Sequence, residues 1–225
     1  MSEALKHIAF IMDGNGRWAQ RRGWKRQKGH REGLETVRRV LRYAKEKGIG
    51  IVSLYVFSTE NWSRPQEEVE ELFDLARRFL SVTDFKKEKI RVLVSGRQEN
   101  LPKDLTKKIC TVTEKTKDFR DFTVQLCIDY GGRDEIVSAV NRALKSGVSQ
   151  VTEETFRNFL YQKDLPDPDL IVRTGGELRL SNFLMYQSAY SELYFTDVLW
   201  PDFSEKDFDE VLEAYRSRER KFGKV

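Results

Sequence analysis

The fold of this chain is decided by one stretch near its start, His7-Ile-Ala-Phe-Ile-Met-Asp-Gly-Asn-Gly-Arg-Trp18. Residues 8–12 form an apolar run bounded by turn-forming residues, which predicts a buried strand. Asp13 ends this strand, and Gly14-Asn15-Gly16 lets the backbone turn and approach a ligand closely. Open α/β sheets bind ligands at the carboxyl ends of their strands. An acid, bare amides and an arginine at such an end therefore indicate a site for a metal-bound phosphate.

Two other interpretations of this stretch stay open from the residues alone. Asp13 could hydrogen-bond only to its own turn, as aspartate often does. The pattern Gly14-x-Gly16-x-x-Ala19 also fits a relaxed dinucleotide-binding fingerprint, and Glu35 lies at about the right distance for a ribose contact. That fingerprint opens directly into a helix, whereas a bulky pair and a long basic segment follow here, which disfavours the dinucleotide interpretation.

The composition is that of a globular protein with one sizeable core. The 225 residues are 39% hydrophobic and 12% aromatic, so we expect a single domain over residues 1–225. The formal net charge is only +4, so a basic site must come from clustering. Cys110 and Cys127 show no metal-ligand spacing and imply no disulfide framework.

The sequence shows neither the apolar core of a signal peptide nor an apolar run long enough to span a membrane. We therefore expect a cytoplasmic protein, whose contact with a membrane, at the inner face of the plasma membrane, would be peripheral.

Residues 17–31 contain seven basic residues and no acid, with Trp18, Trp24 and His30 interleaved. Such a run is commonly a solvated surface loop. Basic residues with aromatics could also grip a nucleic-acid backbone, or close over a diphosphate. Gly23 and Gly29 interrupt the run and predict a mobile flap rather than a rigid helix.

Strand and helix patterns alternate along the rest of the chain. Strands are predicted at residues 8–12, 51–57, 91–95, 122–128, 169–173 and 191–195. Between and after them, helices are predicted from about 32 to 48, after 65, at 101–117, through 136–144, at 152–160, and from 204 to about 218. Ser63-x-x-Gln66 resembles a capping box for the second of these helices. Its apolar stripe, from Val69 to Leu80, is typical of a core face and less typical of a wall for an apolar ligand.

This alternation predicts an α/β fold, a mainly parallel central sheet flanked by helices on both faces. Polar, glycine-bearing segments follow several strands, after residues 12, 57, 128 and 173. Because the carboxyl ends of parallel strands share one edge, these segments should converge there. The sequence therefore predicts one phosphate-binding site at that edge.

Four blocks in this order resemble the cis-prenyltransferase family, most closely its bacterial undecaprenyl diphosphate synthases. They are Met-Asp-Gly-Asn-Gly-Arg-Trp (12–18), Phe-Ser-Thr-Glu-Asn-Trp-Ser-Arg (57–64), Arg-Thr-Gly-Gly-Glu-Leu-Arg-Leu-Ser-Asn-Phe (173–183) and Ser-Glu-Leu-Tyr-Phe (191–195). The resemblance extends from about residue 7 to 223. It implies repeated condensation of isopentenyl diphosphate onto an allylic diphosphate primer such as farnesyl diphosphate, making a long-chain polyprenyl diphosphate, the undecaprenyl lipid carrier of cell-wall synthesis.

The resemblance also implies roles for individual residues. Asp13 would handle Mg²⁺ and the primer's diphosphate, and Glu192 would be the second protein ligand to Mg²⁺. The primer's diphosphate would be bound by Gly14, Asn15, Gly16, Arg17, Arg26 and His30. The reacting ends would be positioned by Ser58, Asn61, Trp62 and Arg64. Isopentenyl diphosphate would be held by Arg173, Arg179 and Ser181. Trp18, Thr59, Glu60 and Leu180 would also take part in substrate binding.

The chemistry of these residue types agrees with the implied roles. Mg²⁺ prefers oxygen ligands and binds through one or two carboxylates plus substrate phosphates. Arginine recurs in the blocks because its fork matches phosphate oxygens in a bidentate way. Asn61 is a poor base, so we expect it to orient the substrate, with a diphosphate oxygen accepting the proton. The identity of that acceptor stays open.

The resemblance further implies a homodimer, with the Arg179 region and the tail at 218–223 near the partner. Some positions depart from the family pattern, namely Asp129, Arg97, Tyr186 and a shortened segment at 81–89, and the last leaves product length open. A non-catalytic partner subunit is a second interpretation, which loss of the acid at 13 or 192 would have favoured. A nucleic-acid-binding protein is a third, but it leaves the later blocks unexplained, so we expect no nucleic-acid partner.

Overall fold

The computed structural model describes residues 4–218 as an α/β fold built on one six-stranded sheet. The strands are β1 (His7–Ile11), β2 (Ile51–Ser58), β3 (Ile90–Ser95), β4 (Phe122–Tyr130), β5 (Leu170–Arg173) and β6 (Glu192–Phe195). They lie in the order β3-β4-β2-β1-β5-β6, and every neighbouring pair is parallel. The predicted mainly parallel sheet is confirmed.

Seven α-helices connect and cover these strands within residues 4–218. They are α1 (Asn15–Gln20), α2 (Arg26–Glu46), α3 (Gln66–Val82), α4 (Lys103–Thr116), α5 (Gly132–Lys145), α6 (Glu153–Phe156) and α7 (Glu205–Arg216). A 3-10 turn, Thr59–Ser63, lies between β2 and α3. No helix of this part of the chain is both long enough and apolar enough for a membrane span. Of the tail at 218–223, only its first residue is among those described.

Both faces of the sheet are covered, as the side chains of β1 show. Ile8 and Phe10 belong to a large hydrophobic cluster that residues of α2, α3, α4 and α7 complete. Ala9 and Ile11 point the other way, into a smaller cluster with Phe183. This alternation follows from the two-residue period of a strand, and burial on both faces is usual for parallel sheets. The prediction of helices on both faces is confirmed.

The mobile flap predicted for residues 17–31 is wrong. Helix α1 begins directly after Gly14 and α2 begins at Arg26, so only residues 21–25 lie between two helices. Gly29 lies inside α2 for a packing reason, because a Cβ there would come within 1.9 Å of the backbone oxygen of Asn15. A glycine that permits close approach of two helices looks the same in sequence as one that ends a helix.

The capping box predicted at Ser63 and Gln66 is also wrong. Pro65 precedes α3 and provides no side-chain cap. The equivalent hydrogen bond occurs one turn earlier, where the backbone N–H of Ser58 donates to Asn61 Oδ1 at 3.0 Å. Both pairs have the same spacing, so the sequence alone did not separate them, and the one that forms lies at the end of β2.

Candidate active site

The polar segments after β1, β2 and β5 meet at one cavity of about 590 Å³. Residues 13–16 follow β1, residues 58–64 follow β2, and Arg173 ends β5 beside Ile11 of β1. The predicted convergence is therefore present for three of the four segments, whereas the fourth, residues 129–133 at the end of β4, does not line this cavity. The walls of this cavity include Asp13, Gly14, Asn15, Gly16, Arg26, His30, Ser58, Glu60, Asn61, Arg64, Arg173, Arg179 and Ser181.

Asp13 connects its own turn to two arginines. Its Oδ1 accepts a hydrogen bond from the Gly14 N–H at 2.6 Å and lies 3.2 Å from Arg17 Nη2. Its Oδ2 accepts one from Arg173 Nη2 at 2.9 Å. Burial raises the pKa of Asp13, but the hydrogen bond and charge of Arg173, together with the charge of Arg17, outweigh burial and hold the pKa below its ordinary value. Asp13 is thus an ionised carboxylate, and 32% of its side chain is exposed.

Arg173 organises the loop that follows β5. Only 5% of this residue is exposed, and its Nη1 donates to the backbone oxygen of Arg179 at 2.5 Å and to Ser181 Oγ at 2.7 Å. Its Nε has no hydrogen-bond partner among residues 4–218. A buried guanidinium with an unused donor beside a polar cavity is suited to bind an anion.

Two residues of α2, Arg26 and His30, reach the cavity beside the turn that follows β1. The guanidinium of Arg26 lies so close to Gly16 that a Cβ there would be 2.8 Å from its Cζ. His30 lies one turn further along α2, and its Nδ1 has no hydrogen-bond partner in the described part of the chain. Burial lowers the pKa of His30 to about 4, with Arg64 and Arg26 adding to the effect and Glu68 opposing it. His30 is therefore neutral at pH 7.

The 3-10 turn Thr59–Ser63 presents Asn61 to the cavity. Because the side-chain oxygen of Asn61 already accepts from Ser58, its NH₂ group is the part of the amide that remains for a ligand. An amide in this state can donate a hydrogen bond but cannot remove a proton. This geometry agrees with an orienting function and not with that of a base.

Six of the predicted site residues do not line the cavity. Trp18 Nε1 donates to Asp202 Oδ1 at 2.6 Å, and Trp62 Nε1 donates to Asp129 Oδ1 at 2.8 Å. The other four are Arg17, Thr59, Leu180 and Glu192.

The position of Glu192 is set by the strand register. It pairs with Leu170 at the first residue of β5, whereas Arg173 lies at the last. Three residues of strand separate the two levels by about 10 Å. Glu192 Oε2 instead accepts from Arg218 Nη1 at 2.7 Å. Within one chain the structure does not bring Glu192 to Asp13.

Two further polar residues of the cavity were missed by sequence reasoning. Asn182 lines the cavity, and its Nδ2 donates to Glu60 Oε1 at 2.9 Å. It has φ 67°, a left-handed conformation that asparagine tolerates. Its place inside the polar block 173–183 was a usable signal. Tyr55, whose hydroxyl donates to the backbone oxygen of Ser181 at 3.2 Å, gave none beyond its position in β2.

A second, apolar cavity of about 110 Å³ adjoins the polar one. The two share walls formed by Met12, Asn15, His30, Tyr55, Val56 and Leu72. Further from the polar cavity the walls come from α2, α3 and the sheet, including Leu34, Val37, Leu75, Ala76, Phe79 and Leu126. The stripe on α3 thus contributes both to the core, through Val69 and Phe73, and to the wall of this cavity, through Leu72, Ala76 and Phe79.

The structure also bears on the dinucleotide interpretation. Helix α1 does open directly after Gly14, contrary to the argument from sequence. Glu35, however, lies within α2 and pairs at the surface with Arg38, at 2.9 Å. It is therefore not at the end of β2, where a ribose-binding acid of that fingerprint belongs.

The basic run at residues 17–31 is partly neutralised. Four of its arginines have acidic partners, in the pairs Arg17–Asp13, Arg22–Asp202, Arg26–Glu68 and Arg31–Glu71. Two of these acids, Glu68 and Glu71, lie on α3. The segment is thus not a uniformly basic surface, which weakens the argument for a nucleic-acid-binding face.

The chain is similar to known prenyl-transferring proteins over almost its whole length. The family model described as "Putative undecaprenyl diphosphate synthase" matches residues 11–223. An isoprenyl transferase of Fusobacterium nucleatum is 52% identical over 98% of this chain and 96% of its own, and one of Thermotoga maritima is 51% identical over 97% and 96%.

Two solved structures share the fold. Lavandulyl diphosphate synthase from Lavandula x intermedia, in complex with dimethylallyl diphosphate, superposes with a TM-score of 0.94 at 31% identity, covering 98% of each chain. A "probable undecaprenyl diphosphate synthase" from Campylobacter jejuni gives 0.84 at 36% identity, covering 99% of this chain and 100% of its own.

Proposed function

This chain belongs to the undecaprenyl diphosphate synthase family of prenyltransferases, and we propose that it adds isopentenyl diphosphate repeatedly to an allylic primer, farnesyl diphosphate. The product is a long polyprenyl diphosphate, the lipid carrier of cell-wall synthesis. The observation that carries the proposal is the continuity of the polar cavity with the apolar one. A prenyl diphosphate has a charged head and an apolar tail, and each matches one of the two.

The primer's diphosphate is assigned to the turn after β1 and to the start of α2. Its oxygens would accept hydrogen bonds from the backbone of Gly14 to Gly16 and from the guanidinium of Arg26. Neutral His30 would add a hydrogen bond but no charge. When the carbon–oxygen bond of the primer breaks, negative charge grows on the departing diphosphate, and these donors lie where that charge would develop.

Isopentenyl diphosphate is assigned to the opposite wall, at Arg173, Arg179 and Ser181. Arg173 is the fixed element of this wall because it is buried and bonded to both of the other residues. The double bond of isopentenyl diphosphate would attack the primer carbon, forming the new carbon–carbon bond as the carbon–oxygen bond of the primer breaks. The adduct then loses a proton, which we assign to a diphosphate oxygen.

Asn61 would orient the reacting ends through its NH₂ group, as the bond from Ser58 to its oxygen indicates. Replacing Asn61 by Asp removes that donor while keeping the acceptor. We expect a clear loss of kcat in Asn61→Asp, and a variant of normal rate would contradict a need for the amide.

Mg²⁺ fits this site with Asp13 as its protein ligand. Asp13 is ionised and partly exposed, and substrate phosphates and water normally complete the coordination of this ion. No cluster of three His, Cys, Asp or Glu side chains exists within residues 4–218 that would form a metal site without a substrate. When bound, the ion would neutralise charge on the leaving diphosphate.

The remaining proposed ligand, Glu192, requires a second copy of the chain. It begins β6, the strand at the edge of the sheet, whose outer side is not paired by residues 4–218. With a two-fold axis beside β6, the strands of the partner would run in the opposite direction. The partner's Glu192 would then lie toward the carboxyl ends of this chain's strands, where Asp13 is. Exposed apolar residues on α5, namely Val137, Val140 and Leu144, also suit a homodimer.

A long product places a demand on the apolar cavity. Its volume of about 110 Å³ is smaller than the engineered cavity of roughly 150 Å³ that binds benzene. Helices α2 and α3 would therefore move apart as the chain grows. Release of such an apolar product would be slow, since burial of each five-carbon unit stabilises the bound product by about 4 kcal/mol, at about 0.8 kcal/mol per carbon. We expect detergent or lipid to speed turnover, consistent with a cytoplasmic enzyme working at the membrane surface.

The test is to incubate the protein with farnesyl diphosphate, labelled isopentenyl diphosphate and Mg²⁺, and to size the products by chromatography. Long products that disappear with chelator are the expected result. A single short product would keep prenyl transfer but overturn the proposed chain length. No product from folded protein with any allylic primer would favour the non-catalytic partner subunit.

A further inference from the structure

Asp129 is a fully buried carboxylate that none of the proposed roles uses. It lies near the end of β4 with 0% of its surface exposed. Its φ of 48° is left-handed, which is uncommon for a residue other than glycine, although aspartate and asparagine tolerate it. Because burying a carboxylate requires several hydrogen-bond donors, its partners bear on its function.

Four donors surround the two oxygens of Asp129. Oδ1 accepts from Trp62 Nε1 and from Arg97 Nη2, both at 2.8 Å. Oδ2 accepts from Arg97 Nε at 3.2 Å and from Asn100 Nδ2 at 3.0 Å. Arg97 thus holds the carboxylate at two points, and its backbone N–H donates to the Asp129 carbonyl oxygen at 3.1 Å. The carboxylate is fixed by residues that follow β3, and it offers one oxygen to Trp62.

Trp62 belongs to the 3-10 turn that presents Asn61 to the polar cavity. This turn follows an irregular part of the sheet, because the register between β2 and β4 shifts between Tyr55 and Phe57 and again between Phe57 and Ser58. Pairing constrains the turn only through Ser58, and side chains hold it on two sides. On one side Asn182 donates to Glu60, and on the other Trp62 donates to Asp129.

The indole of Trp62 is also held by its ring. It packs edge-on against Phe57, with 5.2 Å between centroids, and against Phe73, with 5.5 Å. The ring contacts place the side chain in a slot between β2 and α3. The hydrogen bond to Asp129 then sets how the ring, and with it the turn, is oriented in that slot.

We propose that Asp129 is a positioning residue. By accepting the indole N–H of Trp62, it fixes the 3-10 turn so that the NH₂ group of Asn61 meets the reacting ends of the substrates. Arg97 and Asn100 hold the carboxylate for this purpose. The effect on catalysis rests on the proposed function, whereas the effect on the turn does not depend on which reaction the cavity serves.

The first measurement is hydrogen–deuterium exchange of the ligand-free protein. Trp62→Phe removes the indole donor but keeps a ring in the slot, so peptides covering residues 58–64 should exchange about fivefold faster, the equivalent of one ordinary hydrogen bond. The control is Glu135→Gln. Glu135 is another buried carboxylate, 1% exposed, that accepts from Tyr130 and Tyr161 and does not line the cavity. It should leave exchange at 58–64 unchanged.

The second measurement is steady-state kinetics. A misplaced turn lowers kcat about tenfold to a hundredfold in Trp62→Phe and in Asp129→Ala, with KM for both substrates within about threefold. Asp129→Asn keeps an acceptor for the indole and tolerates the left-handed backbone, so it should retain kcat within about threefold. The double variant Trp62→Phe with Asp129→Ala should be no slower than Asp129→Ala alone, because both changes remove one interaction.

These outcomes separate the possibilities. If Trp62→Phe and Asp129→Ala lower the melting temperature but leave kcat and the exchange at 58–64 unchanged, Asp129 is a structural residue only and the proposal is overturned. If the wild-type protein forms no prenyl product, the proposed function fails, and the exchange measurement alone decides whether Asp129 positions the turn.

Discussion

The two ends of β1 are both lined by polar residues, but these differ in how fully they are hydrogen-bonded within the protein. At the amino end, His7 is buried and both its ring nitrogens are engaged. As a neutral ring, it donates from Nδ1 to the Pro166 carbonyl at 2.8 Å, and its Nε2 lies 2.7 Å from Ser53 Oγ. The amide of Gln125 continues this buried chain from Ser53 to Ser95.

At the carboxyl end the polar groups are incompletely paired. Asn15 Oδ1, His30 Nδ1 and Arg173 Nε are buried atoms without hydrogen-bond partners among residues 4–218. All three residues border the polar cavity. Since proteins rarely leave buried polar atoms unpaired, three of them around one cavity suit this end for a ligand, whereas the ring of His7 at the amino end is hydrogen-bonded within the fold. The same strand therefore has a structural end and a functional end.

The largest effect should come from replacing Asp13 by asparagine at the carboxyl end, and a carboxylate at the amino end provides the matched control. Asp13→Asn keeps the shape of the residue but removes the charge that pairs with Arg173 and that, in the proposed function, would bind Mg²⁺. We expect kcat/KM to fall roughly a hundredfold to a thousandfold, the range measured for losing one preorganised group in an active site. Steady-state kinetics measure this loss, and urea denaturation should show a folded protein.

The matched variant at the amino end is Asp169→Asn. Asp169 Oδ2 accepts from the backbone N–H groups of Lys6 and His7, at 2.9 and 3.0 Å. Its loss of charge should cost about 1–2 kcal/mol of unfolding free energy and leave kcat/KM unchanged. An equal loss of activity in both variants would erase the distinction between the two ends.

The second effect concerns pH, because the chain's two histidines lie one at each end. Burial lowers the pKa of both His7 and His30 from 6.5 to about 4. Between these values the unfolded chain binds a proton that the folded protein does not. The unfolding free energy therefore falls as pH drops from about 6.5 to 4, by at most about 3 kcal/mol per histidine.

Inorganic pyrophosphate should separate the two histidines. An anion in the polar cavity stabilises protonated His30 and should therefore reduce the contribution of His30 to the pH dependence of the unfolding free energy. His7 lies at the other end of β1, so its contribution should not change. Urea denaturation at pH 7 and 4.5, with and without pyrophosphate, would measure how far the anion reduces the fall in unfolding free energy. This reduction should be absent in His30→Gln and kept in His7→Gln. Equal behaviour of the two variants would mean that the anion does not bind near His30.

The parallel sheet and the edge of it that holds the site were both predictable from the sequence, whereas the hydrogen-bonded chain at the amino end of β1 was not predicted. Alternating strand and helix patterns set the parallel sheet, and Asp13 and Arg173 each end a strand, so their meeting follows from topology. Local ambiguity explains two errors. Gly29 is required by the approach of Asn15, and Ser58 competes with Ser63 for the same capping pattern. Neither choice is visible without the packed neighbours.

Long-range pairing explains what else was not predictable. Trp62 and Asp129 are far apart in sequence, and nothing local to either indicates that one holds the other. Glu192 was predicted from resemblance to share a site with Asp13, but strand register places it at the opposite edge. A residue that, as proposed, reaches the site from a second copy cannot be located from one chain's pattern of strands.

The smallest effect concerns the apolar cavity, which adjoins the polar cavity at the carboxyl end of β1. Phe79 lies at its wall and packs edge-on against Phe85 of the short segment after α3, with 5.5 Å between centroids. Ala76, one turn before Phe79, is buried and also lines the cavity. Ala76→Leu should fill space that a growing chain needs.

Each five-carbon unit gains about 4 kcal/mol from burial, so losing room for one unit penalises late additions far more than early ones. We expect Ala76→Leu to shorten the product by one or a few units while the rate of the first condensation onto geranyl diphosphate changes less than about twofold. Chromatographic sizing of the products measures the shift. The control is Val82→Leu, at the end of the same helix and 61% exposed, which should leave product length as it is. If both variants give the wild-type product, the chain does not grow along α3, and the functional end of β1 would be limited to the polar cavity.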